Sequence, residues 1–284
     1  MNYTVEKLFE NFSFEATTKD VANLGALSHK ISPQKIITVP YLPTETNEAR
    51  IAATTALVSG GFQPMPHFSA RRIGSAAEFR ELLDGVANAG ARRCLVIAGD
   101  PARAVGPYSE SLTLIETNAF EQAGIETLGI AGHPEGHPAM SRDESFLVLA
   151  RKSAAIEKRN MKVEIVTQFA FDADAVLRWL KDLRQRGISQ PVRLGVAGPA
   201  SLRTLLRFAA LCGVASSASV IAKYGLSLTN LLGSSGPEKL VARLLTELRP
   251  EHGQVRLHFY PFGGTAKTLD WIAEHFPPYL HGRA

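Results

Sequence analysis

The sequence predicts an α/β fold: a single (β/α)8 TIM barrel over residues 1–284. Three observations predict it. Eight short runs rich in β-branched residues alternate with longer amphipathic stretches, the order a strand–helix repeat requires. Several of the runs are continuously apolar, as parallel strands buried on both faces are. No low-complexity linker divides the chain, and 284 residues with 45% hydrophobic and 20% charged side chains suffice for one large core. A doubly wound open sheet is the alternative, because periodicity does not show closure. No Gly-x-Gly-x-x-Gly follows a strand, which weighs against a dinucleotide-binding unit of that kind.

Taken in order, the strands are Asn11–Glu15, Lys35–Val39, Gln63–Phe68, Arg93–Ile97, Thr127–Ala131, Lys162–Gln168, Val192–Ala197 and Gln254–Tyr260. Between the third and fourth, Ser75–Ala89 is a helix: Ser75 is its N-cap, Glu78 follows three residues on, and Phe79, Leu82, Leu83 and Val86 share a face. Gly90 ends it. Asp172–Arg186 repeats the plan, with Gly187 as the stop. Ser201–Leu211 and Glu238–Leu248 are helical by spacing, and Ala266–Phe276 closes the barrel before Pro277-Pro278. Gly213–Gly236 reads as a helical stretch and then a Gly/Ser loop. The chain ends soon after the last barrel helix, so no long C-terminal regulatory domain is expected.

Composition narrows function. The formal net charge is +4, without the Lys/Arg runs of a nucleic-acid surface. No apolar stretch reaches the ~18 residues of a membrane span, and Met1–Phe9 lacks the apolar segment of a secretory signal. Two cysteines, Cys94 and Cys212, make neither a disulfide framework nor a zinc site. A cytoplasmic protein acting on a small molecule is expected.

Barrel enzymes build their sites at the C-terminal ends of the strands. Those ends here carry Glu15, His67, Gly99-Asp100, the run His133-Pro134-Glu135-Gly136-His137-Pro138, and Thr167-Gln168-Phe169. One such residue means little; polar groups at successive strand ends form a coherent mouth. His133 and His137 are spaced like metal ligands, but the prolines oppose a helix and no third ligand is evident, so no metal is expected.

Ser13-Phe14-Glu15, Pro66-His67, Gly99-Asp100, the Pro-Glu-x-His-Pro run, Leu149–Lys152, Thr167-Gln168-Phe169 with Phe171-Asp172, and His258-Phe259-Tyr260 occur in one order along nearly the whole chain. In this the sequence resembles the methylenetetrahydrofolate reductases, flavin barrels that reduce methylenetetrahydrofolate to methyltetrahydrofolate. The resemblance implies FAD as cofactor, NADH or NADPH as reductant, a tetrahydrofolate substrate, and a homo-oligomer. It implies Glu15 as proton donor, since opening the imidazolidine ring needs a proton on the departing nitrogen. It places Asp100 near both flavin and pterin, Gln168 on the pterin edge, and His67, Gly99, Tyr108, Ala131, His133 and His137 on the flavin cofactor. Arg151 and Lys152 match a basic pair near the FAD diphosphate. Each has an ordinary reading too: Asp100 suits an Asx-turn before Pro101, Gln168 a helix cap, Arg151-Lys152 a solvated helix face.

The sequence departs from the family pattern at the mouth. Glu15 is followed by Ala16-Thr17-Thr18 instead of a Phe-Phe-Pro-Pro run, which predicts a looser, more polar loop. The Arg of the usual Arg-Gly-Asp is Ala98, a family threonine aligns with Pro40, and a tyrosine becomes His133. An aromatic that stacks on nicotinamide and folate aligns near Leu202, which predicts a weaker stacking surface. These departures motivate two further expectations: a variant that favours oxidation of methyltetrahydrofolate, and a rival in which the barrel is a flavin-free folate-binding or assembly subunit.

Overall fold

The computed structural model describes residues 5–213 and 234–276. Eight parallel strands close on themselves: β1 (Ser13–Glu15), β2 (Ile36–Val39), β3 (Gln63–Ser69), β4 (Arg93–Ile97), β5 (Thr127–Gly132), β6 (Lys162–Ala170), β7 (Val192–Ala197) and β10 (Val255–Tyr260). The circuit runs β1-β10-β7-β6-β5-β4-β3-β2 and is a closed barrel. Closure excludes the open doubly wound sheet. A two-residue antiparallel pair, β8 (Ala200–Ser201) with β9 (Ser234–Ser235), lies outside the barrel circuit. The helical reading of Gly213–Gly236 falls largely outside the described residues, as does Pro277-Pro278.

The helices are α1 (Val5–Phe9), α2 (Thr18–Leu24), α3 (Asn47–Ser59), α4 (Ala76–Asn88), α5 (Ser111–Ile115), α6 (Ala119–Gln122), α7 (Arg142–Glu157), α8 (Ala173–Gln185), α9 (Leu202–Leu211), α10 (Glu238–Glu247) and α11 (Thr265–His275). Ser75 caps α4 by accepting from the Glu78 N–H at 3.1 Å, and Gly90 leaves the helix at φ +104°. Six helices carry a pattern the sequence does not announce: α1, α2, α3, α5, α6 and α7. In α3 the core-facing side chains are Ala53, Thr54, Leu57 and the aliphatic part of Arg50, too weak an apolar contrast to read. In α7 the buried Phe146, Leu149 and Ile156 are blurred by an exposed Leu147 on the opposite side.

Alternation along each strand divides two cores. Outward residues such as Phe14, Ile37, Phe68, Val96, Ile130, Ile165, Leu194 and Phe259 pack against the helices in one large cluster. Ile36, Met65, Leu95 and Val166 form a separate small cluster in the lumen. Toward the strand N-termini the lumen is charged. Glu164 accepts from Arg193 at 2.7 Å and from Arg93 at 3.1 Å. Arg193 also donates to the Asn11 carbonyl at 2.9 Å and to Ser13 Oγ at 3.3 Å. These bonds satisfy a carboxylate and a guanidinium that are almost wholly buried. Toward the strand C-termini the inward positions are Glu15, Thr38, His67, Ser69 and Tyr260, and there the candidate site begins.

Candidate active site

Glu15 ends β1 and is paired in register with Thr38 of β2. Its side chain keeps 22% of its surface, and its Oε2 lies 4.0 Å from His67 Nε2. Burial is the main cause that raises its pKa from 4.5 to about 7, and the charges of Asp20 and Glu45 add to it. His67 is buried and its pKa is lowered from 6.5 to about 3 by desolvation. Each group is therefore driven to its neutral form.

The threonines after Glu15 correct the expectation of a looser loop. Thr17 is the N-cap of α2 in a capping box with Asp20. Thr18 donates to Glu45 Oε1 through its hydroxyl at 2.6 Å and its N–H at 3.1 Å. The two acids that push Glu15 upward are thus held in place by Thr17 and Thr18.

Around Glu15, nearby strands present buried polar atoms with no hydrogen-bond partner among the described residues: Thr38 Oγ1, His67 Nε2, Ser69 Oγ and His258 Nε2. His258 is fixed from below, its Nδ1 2.8 Å from Ser13 Oγ. Tyr260 donates to the Thr167 carbonyl at 2.9 Å, and the Thr167 hydroxyl accepts from the Gly195 N–H at 2.8 Å. These bonds hold a bulge in β6 between Val166 and Phe169, which carries Gln168 at its centre. Gln168 is half-buried, and its Oε1 accepts from the Phe169 N–H at 3.1 Å. Cys212, after α9, adjoins it; burial is the first cause raising that thiol to about 11, followed by the Asp100 and Glu15 charges.

Gly99 has φ +91°, and a Cβ there would stand 2.1 Å from Ser69 Oγ, so only glycine lets the chain turn this close to β3. Asp100 follows it on the surface, its side chain 91% exposed and 3.4 Å from Arg72. His133 and His137 follow β5 with ring centroids 4.6 Å apart, edge to face. Burial, each other's proximity and Lys152 lower His133 to about 4, and burial, Lys152 and Arg71 lower His137. Ala131 is half-buried at an inward position of β5. The same loop walls a cleft of about 270 Å³ with Arg142, Phe146 and Trp179.

Two expected site residues, Leu202 and Tyr108, are placed otherwise than the sequence suggests. Leu202 is fully buried, so it offers no stacking surface at the mouth. Tyr108 retains 7% exposure and packs edge-on against Phe79 at 5.6 Å; most of its ring belongs to the core. Arg151 and Lys152 leave α7 ~100° apart, as successive helical residues do. Arg151 is exposed, whereas Lys152 is half-buried and acts on both histidines. The two Arg residues after β3, Arg71 and Arg72, were not singled out by any motif.

Glu135 explains why two separate motifs belong together. Its Oε1 accepts from the N–H groups of both Phe171 and Asp172 at 2.6 Å. The Pro-Glu-x-His-Pro loop thereby clamps the start of α8, directly after the segment that carries Gln168. Among the described residues no three His, Cys, Asp or Glu side chains are grouped to hold a metal ion, and no helix is long and apolar enough to cross a membrane.

The chain is 26% identical over 142 residues to a methylenetetrahydrofolate reductase (NADH) of Zea mays, covering 46% of this chain and 24% of that protein. The corresponding figure is 25% over 142 residues for an Arabidopsis thaliana reductase, with the same coverage. The chain thus spans about a quarter of the length of the curated relatives it matches. Among solved structures, a Clostridium thermocellum protein described as binding two copies of 5-methyl-5,6,7,8-tetrahydrofolic acid superposes with a TM-score of 0.62 at 12% identity, over 91% of this chain and 90% of the other. A phosphonomutase-like protein of Burkholderia cenocepacia gives 0.52 at 10% identity, over 93% and 92%. At those identities the likeness is one of fold. The family model of methylenetetrahydrofolate reductase matches residues 9–262, and the chain belongs to that family.

Proposed function

We propose that this barrel interconverts 5,10-methylenetetrahydrofolate and 5-methyltetrahydrofolate, with FAD as cofactor and NADH or NADPH as the outside reductant. The observation that carries the reading is Glu15: a carboxyl at the mouth of a closed barrel whose pKa stands at about 7. Such a group holds a proton at neutral pH and can still release it.

The residues present fit FAD. Glycine at 99 lets the backbone approach closely where a Cβ would collide. His67 Nε2 is buried without a protein partner. Lys152, whose charge acts on His133 and His137 and is itself favoured by Glu110, is a cation suited to a diphosphate. When bound, FAD supplies the carrier for a hydride. The chain's own residues do the rest. Glu15 gives its proton to the folate N10 as the ring opens, and takes it back in the reverse direction. Neutral His67 leaves that carboxyl without a counter-charge, so the proton stays until the departing nitrogen claims it. The Asp100 carboxylate accepts from the pterin amidine edge, and the Gln168 amide offers donor and acceptor to the same heterocycle. Leu202, wholly buried, gives nicotinamide no aromatic surface, which favours the variant that oxidises methyltetrahydrofolate.

The test is an ultraviolet–visible spectrum of the purified protein, then anaerobic stopped-flow mixing with methyltetrahydrofolate, NADH and NADPH in turn. A flavin spectrum bleached by methyltetrahydrofolate is expected. Fast bleaching by NADH alone removes the oxidative variant. A colourless protein that takes up no FAD and still binds methyltetrahydrofolate replaces the reading with the flavin-free folate-binding subunit.

A further inference from the structure

The turn after β3 carries two arginines, Arg71 and Arg72, against the loop that joins β4 to α5. The Arg71 N–H donates to the Ala98 carbonyl at 2.9 Å, and its carbonyl accepts from the Val105 N–H at 2.9 Å. Its guanidinium donates from Nε to the Ser109 carbonyl at 2.8 Å and from Nη1 to the Pro101 carbonyl at 3.2 Å. Among the described residues Nη2 has no partner. The charge is felt by His137, across the site on the loop after β5, whose protonation it opposes together with Lys152. Arg71 is therefore bonded to two segments at once, the end of β4 and the loop up to Ser109, while its charge acts on His137 of the third.

Among the described residues no carboxylate is paired with it. Asp100 is paired with Arg72 at 3.4 Å, and Glu110 acts on Lys152. A guanidinium with two arms fixed to backbone carbonyls and a third unused is pre-organised for an anion. It also stands one hydrogen bond away from Ala98, the position where the chain lacks a cation.

We propose that Arg71 is a cofactor-binding residue that, with Lys152, takes the diphosphate of a dinucleotide cofactor, so that the turn after β3 supplies a cation beside position 98, where the chain has none. This rests on the FAD reading above. Arg72 keeps Asp100 from competing for the same guanidinium.

The experiment titrates the flavin-stripped full chain with FAD, ADP and riboflavin, for the unaltered protein, Arg71→Met and Arg71→Lys. In Arg71→Met the dissociation constants for FAD and ADP should rise roughly 10–100-fold, the worth of a charge-assisted contact to phosphate. That for riboflavin, which has no phosphate, should change less than about threefold, and Arg71→Lys should recover part of the loss. Unchanged FAD and ADP binding overturns the proposal. So does riboflavin weakening in step with FAD, because Arg71 would then only hold the loop. Should Arg71→Met not fold, Arg71→Lys decides: FAD about three- to tenfold weaker with riboflavin unaltered supports the proposal, and unaltered FAD overturns it. An unaltered protein without affinity for FAD refutes the FAD reading itself, before any variant is made.

Discussion

Replacing Glu15 by Gln should stabilise the protein at high pH while abolishing its chemistry. The carboxyl is raised from 4.5 to about 7 in the fold. A raised acid stabilises the folded state fully below its unfolded pKa and loses that stabilisation as pH climbs through the folded value. A shift of about 2.5 units is worth about 3.4 kcal/mol at the plateau. Linkage then gives a deficit near zero at pH 4, about 2 kcal/mol at pH 6 and about 3 kcal/mol at pH 8. Glutamine, of the same shape and uncharged, does not carry the deficit. Urea unfolding of both proteins from pH 4 to pH 8 should show curves that coincide in acid and part steadily, with Glu15→Gln more stable by about 2–3 kcal/mol at pH 8. Folate turnover should fall by about 10²–10⁴-fold over the same range. Parallel stability curves would show that the carboxyl is solvated as usual, and would refute its assignment as a proton holder whatever the turnover did.

Two further outcomes follow from the packing. Glu164→Gln leaves Arg93 and Arg193 without their shared carboxylate, and should cost about 3–5 kcal/mol because two guanidinium groups remain without it; thermal unfolding measures this, and a cost under about 1 kcal/mol would mean that water reaches them. Glu135→Ala removes the acceptor of the Phe171 and Asp172 N–H groups, and should cost about 1.5–3 kcal/mol. It should also weaken methyltetrahydrofolate binding, since those residues follow the strand segment that carries Gln168; calorimetric titration would show unchanged affinity if the clamp and the site were independent.

The barrel was legible because its strands advertise themselves. Lys35–Val39 and Val192–Ala197 are short and rich in β-branched residues, and each strand of the circuit lies within two residues of where the pattern puts it. Helices were readable only where one face is much more apolar than the other, as in α4 and α8. At the mouth the pattern puts Glu15 at the last residue of its strand, as the structure does, while His67 and Gln168 stand two residues before the ends of theirs. What stayed hidden has a common cause: it depends on contacts between elements far apart in the chain. Ser13 and His258 are 245 residues apart. Glu135 meets Phe171 across 36. Leu202 aligns with a stacking position, yet its burial is decided by how α9 leans on the barrel. Arg71 and Arg72 resemble any solvated pair until the β4–α5 loop is seen to fold over them.

Where the Glu15 proton rests is decided by a small difference. Moving it to His67 inside the barrel opposes pKa values of about 7 and about 3, a cost of about 5 kcal/mol. The ion pair so formed, at 4.0 Å, would return about 4 kcal/mol at the effective dielectric of partly buried sites. The neutral pair wins by only about 1–2 kcal/mol. Anything that further excludes water from the mouth strengthens both sides of that balance, but desolvation acts on two groups and attraction on one contact. A heterocycle lying over Glu15 should therefore fix the proton more firmly on the carboxyl, and Asp20 and Glu45, placed by Thr17 and Thr18, add to it. The polar residues that stand in place of a proline-rich loop are thus compatible with proton donation at this position, because they supply by charge what a drier loop would supply by exclusion of water.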